Sequence, residues 1–168
     1  MNQTPVKQAH INGSGFLVLG RNRVRGISFT GTSTAGFLAL FDTTTAPVTT
    51  ATYGRSGTTV TITQSAHGLV TGQVIGIDFA AGTGGTATNG NYAVTVTNSS
   101  TFTITDINSG TITGSPGLVY ANRWLLSYDV TASDTYNNSP FIPDDGVVAT
   151  DGVYAYLSNV AACNIYYG

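Results

Sequence analysis

The chain has 168 residues, 41% of them hydrophobic and only 8% charged, with a formal net charge of −2. That hydrophobic share excludes a disordered chain and is enough for a buried core. The small negative charge gives no general attraction to nucleic acid or to anionic membranes. Glu is absent and Lys7 is the only Lys, so the usual solvated face of a helix cannot be built. Thr, Val, Ile and Tyr suit a pleated, half-buried surface, and Gly supplies turns between strands. Composition therefore predicts an all-β protein. A weakly charged surface also repels itself little, so a homo-oligomer is expected over a freely diffusing monomer.

The opening Met-Asn-Gln-Thr-Pro-Val-Lys has no apolar h-region, so it is not read as a secretion signal. No stretch approaches the roughly 18 consecutive apolar residues of a membrane span. Synthesis in the cytoplasm, without export and without a membrane partner, is the expectation. Cys163 is the only cysteine; in its apolar surroundings it reads as a buried, inert thiol.

Residues 1–11 read as an amino-terminal arm. Residues 15–19 and 36–41 are short apolar runs bounded by turn signals, and residues 21–30 carry Val24 and Ile27 to Phe29. Such runs predict buried strands. From about residue 50 the texture changes. Thr58 to Thr63 alternates, with Val60 and Ile62 on one face and Thr59, Thr61 and Thr63 on the other. Ser65 to Leu69 is a turn, residues 73–79 a strand, and residues 80–90 a mobile Gly/Thr loop. Residues 91–97 and 101–105 repeat the period-two pattern. The first texture resumes with the hydrophobic segment 118–130, then a loop over 134–145, then strands at Val147-Val148, residues 153–157 and residues 161–167. The prediction is a β-sandwich or jelly-roll-like base, residues 12–50 plus 118–168, interrupted by an inserted small β-barrel, residues 51–117.

The insert carries Val60-Thr61-Ile62, then Ala66-His67-Gly68-Leu69-Val70-Thr71-Gly72-Gln73-Val74-Ile75, then Asn91 to Val96 and Thr101 to Thr105. In this order they resemble a small β-barrel module that recurs in virion proteins of tailed bacteriophages. The flanks, with an Arg-rich strand and an ending Asp145-Gly146-Val147-Val148, Gly152 to Val160 and Ile165-Tyr166-Tyr167-Gly168, resemble a short virion-associated β-sandwich protein. The resemblances together imply a structural protein of the virion, made in the host cytoplasm. A capsid decoration (cement) protein bound to the major capsid protein or another virion protein fits the short chain best. The alternatives are a tail, neck or head-tail connector component, and a carbohydrate-binding adhesion module that touches host-surface glycans through residues 80–90.

Candidate chemistry is sparse. His67 has Ser65 two residues away and Asp78 on a neighbouring predicted strand, but no nucleophile-elbow context surrounds Ser65. His67 is therefore expected to shape a turn, its ring bonding to backbone across the barrel end. His10 lies in the arm with no motif around it. Asp144, Asp145 and Asp151 sit near Gly146 and Gly152, but their spacing is not that of a calcium loop, and Asp and Gly are ordinary turn residues. Without Glu, the paired carboxylates of a glycosidase have no obvious source. No catalytic residue, metal or cofactor is expected.

Arg21, Arg23 and Arg25 fall at i, i+2 and i+4, which on a strand puts them on one face. Three like charges there repel unless something anionic meets them, and Arg grips carboxylates in bidentate fashion. They are the first candidates for docking onto a partner; DNA phosphate is a weaker fit in a net-negative chain. A solvated edge strand kept apart from other strands by its charge is the alternative. Tyr154, Tyr156, Tyr166 and Tyr167 complete the candidate docking set, because Tyr packs with its ring and bonds with its hydroxyl at interfaces.

Overall fold

The computed structural model describes residues 5–136, 142 and 146–168, and these hold strands and no helix. In chain order the strands are β1 (Lys7–Ile11), β2 (Gly15–Leu19), β3 (Asn22–Gly31), β4 (Gly36–Asp42), β5 (Val48–Ser56), β6 (Thr59–Thr63), β7 (Val74–Phe79), β8 (Gly90–Ala93), β9 (Thr95–Asn98) and β10 (Thr101–Thr105). They continue with β11 (Gly117–Ala121), β12 (Arg123–Val130), β13 (Thr135–Tyr136), β14 (Val147–Ala149), β15 (Gly152–Ser158) and β16 (Val160–Tyr167). The fold is all-β. Two compact units divide the chain: Met1–Ala46 with Leu125–Gly168, and Pro47–Trp124.

The first unit is a β-sandwich. One sheet runs β1-β16-β3-β13 with β14 also on β3, and the other runs β12-β4-β15-β2. Successive strands mostly alternate between the sheets, so each sheet pairs strands distant in sequence. Val24, Ile27, Phe29, Cys163 and Ile165 of the first sheet share a buried cluster with Leu38, Leu40, Val153 and Ala155 of the second. The Val, Leu, Ile and Phe side chains among them contribute roughly 1.5–3 kcal/mol each by leaving water. Burial pushes the Cys163 thiol up to about 12, which makes it the inert thiol expected. The amino-terminal arm is a correction: Lys7–Ile11 forms β1, antiparallel to β16, with Ala9 and Ile11 against the core.

Asp42, at the end of β4, is 2% exposed. Its carboxylate accepts bonds from the Thr150, Asp151 and Gly152 N–H groups at 2.8, 2.8 and 3.1 Å and from the Thr150 hydroxyl at 2.9 Å. It thereby fixes the turn between β14 and β15. Burial pushes the carboxyl up, but these hydrogen bonds outweigh it and hold Asp42 below its ordinary value.

The second unit is a seven-stranded, nearly closed barrel ordered β8-β7-β11-β5-β6-β10-β9. Its two edge strands follow one another in the chain. Between them Val94 donates to Gln73 O at 2.9 Å and accepts from Gly72 N–H at 2.8 Å. Val60, Ile62, Phe102 and Ile104 point inward and Thr59, Thr61 and Thr63 outward, as alternation requires. This unit begins and ends outside the expected 51–117. The reason lies in its pairing: β5, starting at Val48, and β11, ending at Ala121, are neighbours within the barrel. The predicted single segments 91–97 and 118–130 are each broken in two, at Val94 and at Asn122. Beyond the second break, the backbone at Arg123 and Trp124 lies so close to β7 that a Cβ on Gly76 would stand 1.7 Å from Trp124 N.

The barrel also contains a buried ion pair between Arg55 and Asp106, whose side chains are 7% and 0% exposed. Asp106 further accepts from Asn108 N–H at 3.1 Å and Thr88 N–H at 3.3 Å. Burial pushes this carboxyl up, but the bonds from Thr88, Asn108 and Arg55 hold it below its ordinary value.

Candidate functional site

The docking candidates do not gather in one place. Arg21 falls in the turn before β3, so only Arg23 and Arg25 lie on the strand. Val24 and Ile27 both reach the core although three residues apart, which strict alternation forbids. A bulge resolves this: Tyr167 pairs with Val24 and Tyr166 with Gly26, leaving Arg25 as the extra residue. Arg25 is exposed and Arg23 half-buried, with Arg23 opposite Val148 on β14. Arg21, Asn22, Arg23, Val148 and Gly168 line a shallow cavity of about 200 Å3. Lys7 is exposed and pairs with Tyr167 in the same cross-strand row. Thus Lys7, Arg21, Arg23 and Arg25, four of the six Lys and Arg in the chain, stand at one end of one sheet. Among the described residues, Arg21 and Arg25 make no ion pair. Asp144 and Asp145, the other members of the acidic candidate with Asp151, lie outside the described residues; Asp151 is exposed in the turn before β15.

The four tyrosines separate. Tyr167 packs against the sandwich core, whereas Tyr166, next along β16, is on the outer face beside the arginines. Tyr154 and Tyr156 are on the other sheet, where Tyr154 meets Phe16 edge-on at 4.9 Å and Tyr156 meets Phe37 at 5.5 Å. So Arg21, Arg23, Arg25 and Tyr166 form one candidate surface, Tyr154 and Tyr156 belong to a second, and Tyr167 is largely a packing residue.

The first surface includes residues that sequence reasoning passed over. Beyond Tyr166, the Asn164 side-chain oxygen accepts from Gln8 Nε2 at 2.9 Å and contacts His10 Nδ1 at 2.9 Å. The Asn164 amide donates to Ser28 Oγ at 3.1 Å. One polar ladder therefore crosses β1, β16 and β3. The signal in the sequence is the period-two spacing of Gln8 with His10 and of Asn164 with Tyr166, masked at the amino terminus because polar Lys7, Gln8 and His10 resemble a solvated arm. The ladder carries fixed hydrogen-bonding groups next to the basic end, a suitable footing for a polar, anionic partner surface.

The barrel holds no assembled triad. His67 Nε2 donates to Asn98 O at 2.8 Å, and its Nδ1 accepts from Leu69 N–H at 3.0 Å. Both ring nitrogens are thus committed to backbone, and the ring packs edge-on against Phe102 with centroids 5.2 Å apart. Asp78, imagined as its partner, is buried and bonds Asn89 and the Trp124 indole N–H instead. His67→Ala should lower the stability of this unit by about 1–2 kcal/mol through the lost bonds, with Ser65→Ala near neutral. Urea unfolding followed by the fluorescence of Trp124, the only Trp, measures both.

Residues 80–90 are pinned where mobility was expected. Tyr53 Oη donates to Ala80 O at 2.7 Å and accepts from Ala87 N–H at 3.4 Å, and Asn89 caps Phe79 N–H at 2.8 Å. Thr83 and Thr113 exchange backbone bonds of 3.1 and 2.9 Å. Deleting the segment would strip the barrel of these contacts. No protein-family model, no curated protein and no solved structure matches this chain.

Proposed function

We propose that this chain is a non-enzymatic structural protein of a tailed-phage virion, a capsid decoration protein that docks on the major capsid lattice. The observation that carries the reading is the gathering of Arg21, Arg23 and Arg25 with Tyr166 at one end of one sheet, next to the Asn164 ladder. Arg forks and planar amides match carboxylates and backbone of a neighbouring subunit. Many copies on a lattice turn modest single-site affinity into stable occupancy.

The double variant Arg21→Asp with Arg25→Asp tests the docking face, since both side chains are exposed. Its occupancy on particles at moderate salt should fall by roughly tenfold or more, because reversed charges are repelled at the contact. Unchanged occupancy would sink the docking face. Quantitative mass spectrometry of purified virions tests the location. A ratio near one per capsid subunit, or a simple fraction of it, supports decoration. A dozen copies or fewer per particle would shift the protein to the tail or neck, and absence from particles would end the virion reading.

A further inference from the structure

We infer that Asn12 is a site of spontaneous modification, at which the chain converts its own side-chain amide to a carboxylate through a cyclic imide with Gly13. The inference stands apart from the docking reading, because it concerns the turn between β1 and β2, at the other end of β1 from Lys7.

The chemistry needs an Asn whose following residue leaves its backbone nitrogen open. Gly is that residue, since it has no Cβ to shield the nitrogen or to restrict the chain as it folds back. Gly13 N attacks the Asn12 side-chain carbonyl carbon. The new N–C bond forms as the bond to the amide nitrogen breaks, and the Gly13 N–H proton departs with that nitrogen as ammonia. Water then opens the five-membered imide. Cleavage of the new bond restores the ordinary backbone and leaves an aspartyl side chain. Cleavage at the backbone carbonyl leaves an isoaspartyl link, one methylene longer in the main chain. Neither step needs an oxidant, a reductant or an enzyme.

The sequence holds two Asn-Gly pairs, Asn12-Gly13 and Asn89-Gly90, and the structure separates them. Asn12, Gly13 and Ser14 form the exposed turn between β1 and β2. Among the described residues, neither the Asn12 side chain nor the Gly13 N–H makes a hydrogen bond, so carbonyl and nitrogen are free to meet. Asn89 is held at both ends of its amide. Its Oδ1 accepts from Phe79 N–H at 2.8 Å, and its Nδ2 donates to Asp78 at 3.1 Å. Gly90 is also the first residue of β8, paired opposite Ile77 of β7. Cyclisation at Asn89 must first break these bonds.

Each conversion at Asn12 adds one negative charge to a chain whose net charge is −2. β1 is the outer strand of its sheet, paired only with β16, so a lengthened turn is absorbed while the other strands keep their register. The chain thus acquires a charge mark that grows with its age.

Folded full-length protein held at mildly alkaline pH, then cut with trypsin and weighed, tests this. The peptide of residues 8–21 contains Asn12 as its only Asn. It should convert at least roughly tenfold faster than Asn89, the protection imposed by two hydrogen bonds that must open. Aspartyl and isoaspartyl forms should appear together. In urea the two sites should convert at similar rates. Gly13→Ala should slow the Asn12 reaction by roughly tenfold. A Cβ on Gly13 meets nothing within 4 Å and its φ is not left-handed, so the fold is kept. Asn12→Gln should remove the product altogether, and decides the matter if the alanine variant misfolds. Equal rates at Asn12 and Asn89 in the folded protein overturn the inference. So does an Asn12 that stays intact while folded, or a purely aspartyl product that forms as fast in Gly13→Ala.

Discussion

Asp106→Ala should unfold the barrel unit, or leave it near the edge of unfolding, at neutral pH. The substitution strands the Arg55 guanidinium, whose side chain is 7% exposed and whose Nε already has no hydrogen-bond partner. Removing one partner of a buried pair typically costs about 3–5 kcal/mol, because the remaining charge is neither paired nor hydrated. A unit of this size holds only about 4–12 kcal/mol in total. Asp106 also satisfies the backbone N–H groups of Thr88 and Asn108, so two further donors lose their acceptor. The double variant Arg55→Met with Asp106→Leu should recover much of the loss, since apolar replacement of a whole buried pair is often neutral or stabilising. Urea midpoints from Trp124 fluorescence decide the matter, because Trp124 belongs to this unit. A double variant less stable than Asp106→Ala would show that the pair contributes net stability rather than mutual compensation.

The strands of this barrel were readable because their chemistry is local. Val60 and Ile62 alternate with threonines, and so do Phe102 and Ile104; period two survives wherever one face is wet and the other dry. The breaks at Val94 and Asn122 were not readable, since each depends on where a partner strand ends. β1 was missed because Lys7, Gln8 and His10 resemble a solvated arm, and only Ala9 and Ile11 reveal the buried face. The i, i+2, i+4 spacing of the arginines does not survive on β3, because a bulge depends on the neighbouring strand as well as on the sequence that carries it. The buried carboxylates were invisible for a further reason. Asp42 precedes a Thr-rich stretch and Asp106 is followed by Asn108, Ser109 and Gly110, which suggests exposure, yet Asp42 finds its donors 108 to 110 residues along the chain.

That long-range clamp makes Asp42→Asn the most informative substitution in the sandwich. Asn keeps the shape but loses the charge, and it presents an N–H2 group to donors that a carboxylate oxygen now accepts. Bonds to a charged group are worth roughly 1.5–3 kcal/mol each, and the four made here share two oxygens, so a net loss of about 2–4 kcal/mol is expected at pH 7. The pH dependence fixes the sign independently. Asp42 in the folded chain lies below its ordinary value, so the unfolded chain binds the proton more readily. The stabilisation is then fully present above the unfolded value of about 3.9 and drains away as pH falls through the lower folded value. Wild type and Asp42→Asn should therefore differ most in urea midpoint at neutral pH and converge under acid, where both side chains are neutral. Far-UV circular dichroism across a urea and pH grid gives the comparison. A gap that stays constant down to acid would mean that the polar geometry of Asp42, and not its charge, holds the β14–β15 turn.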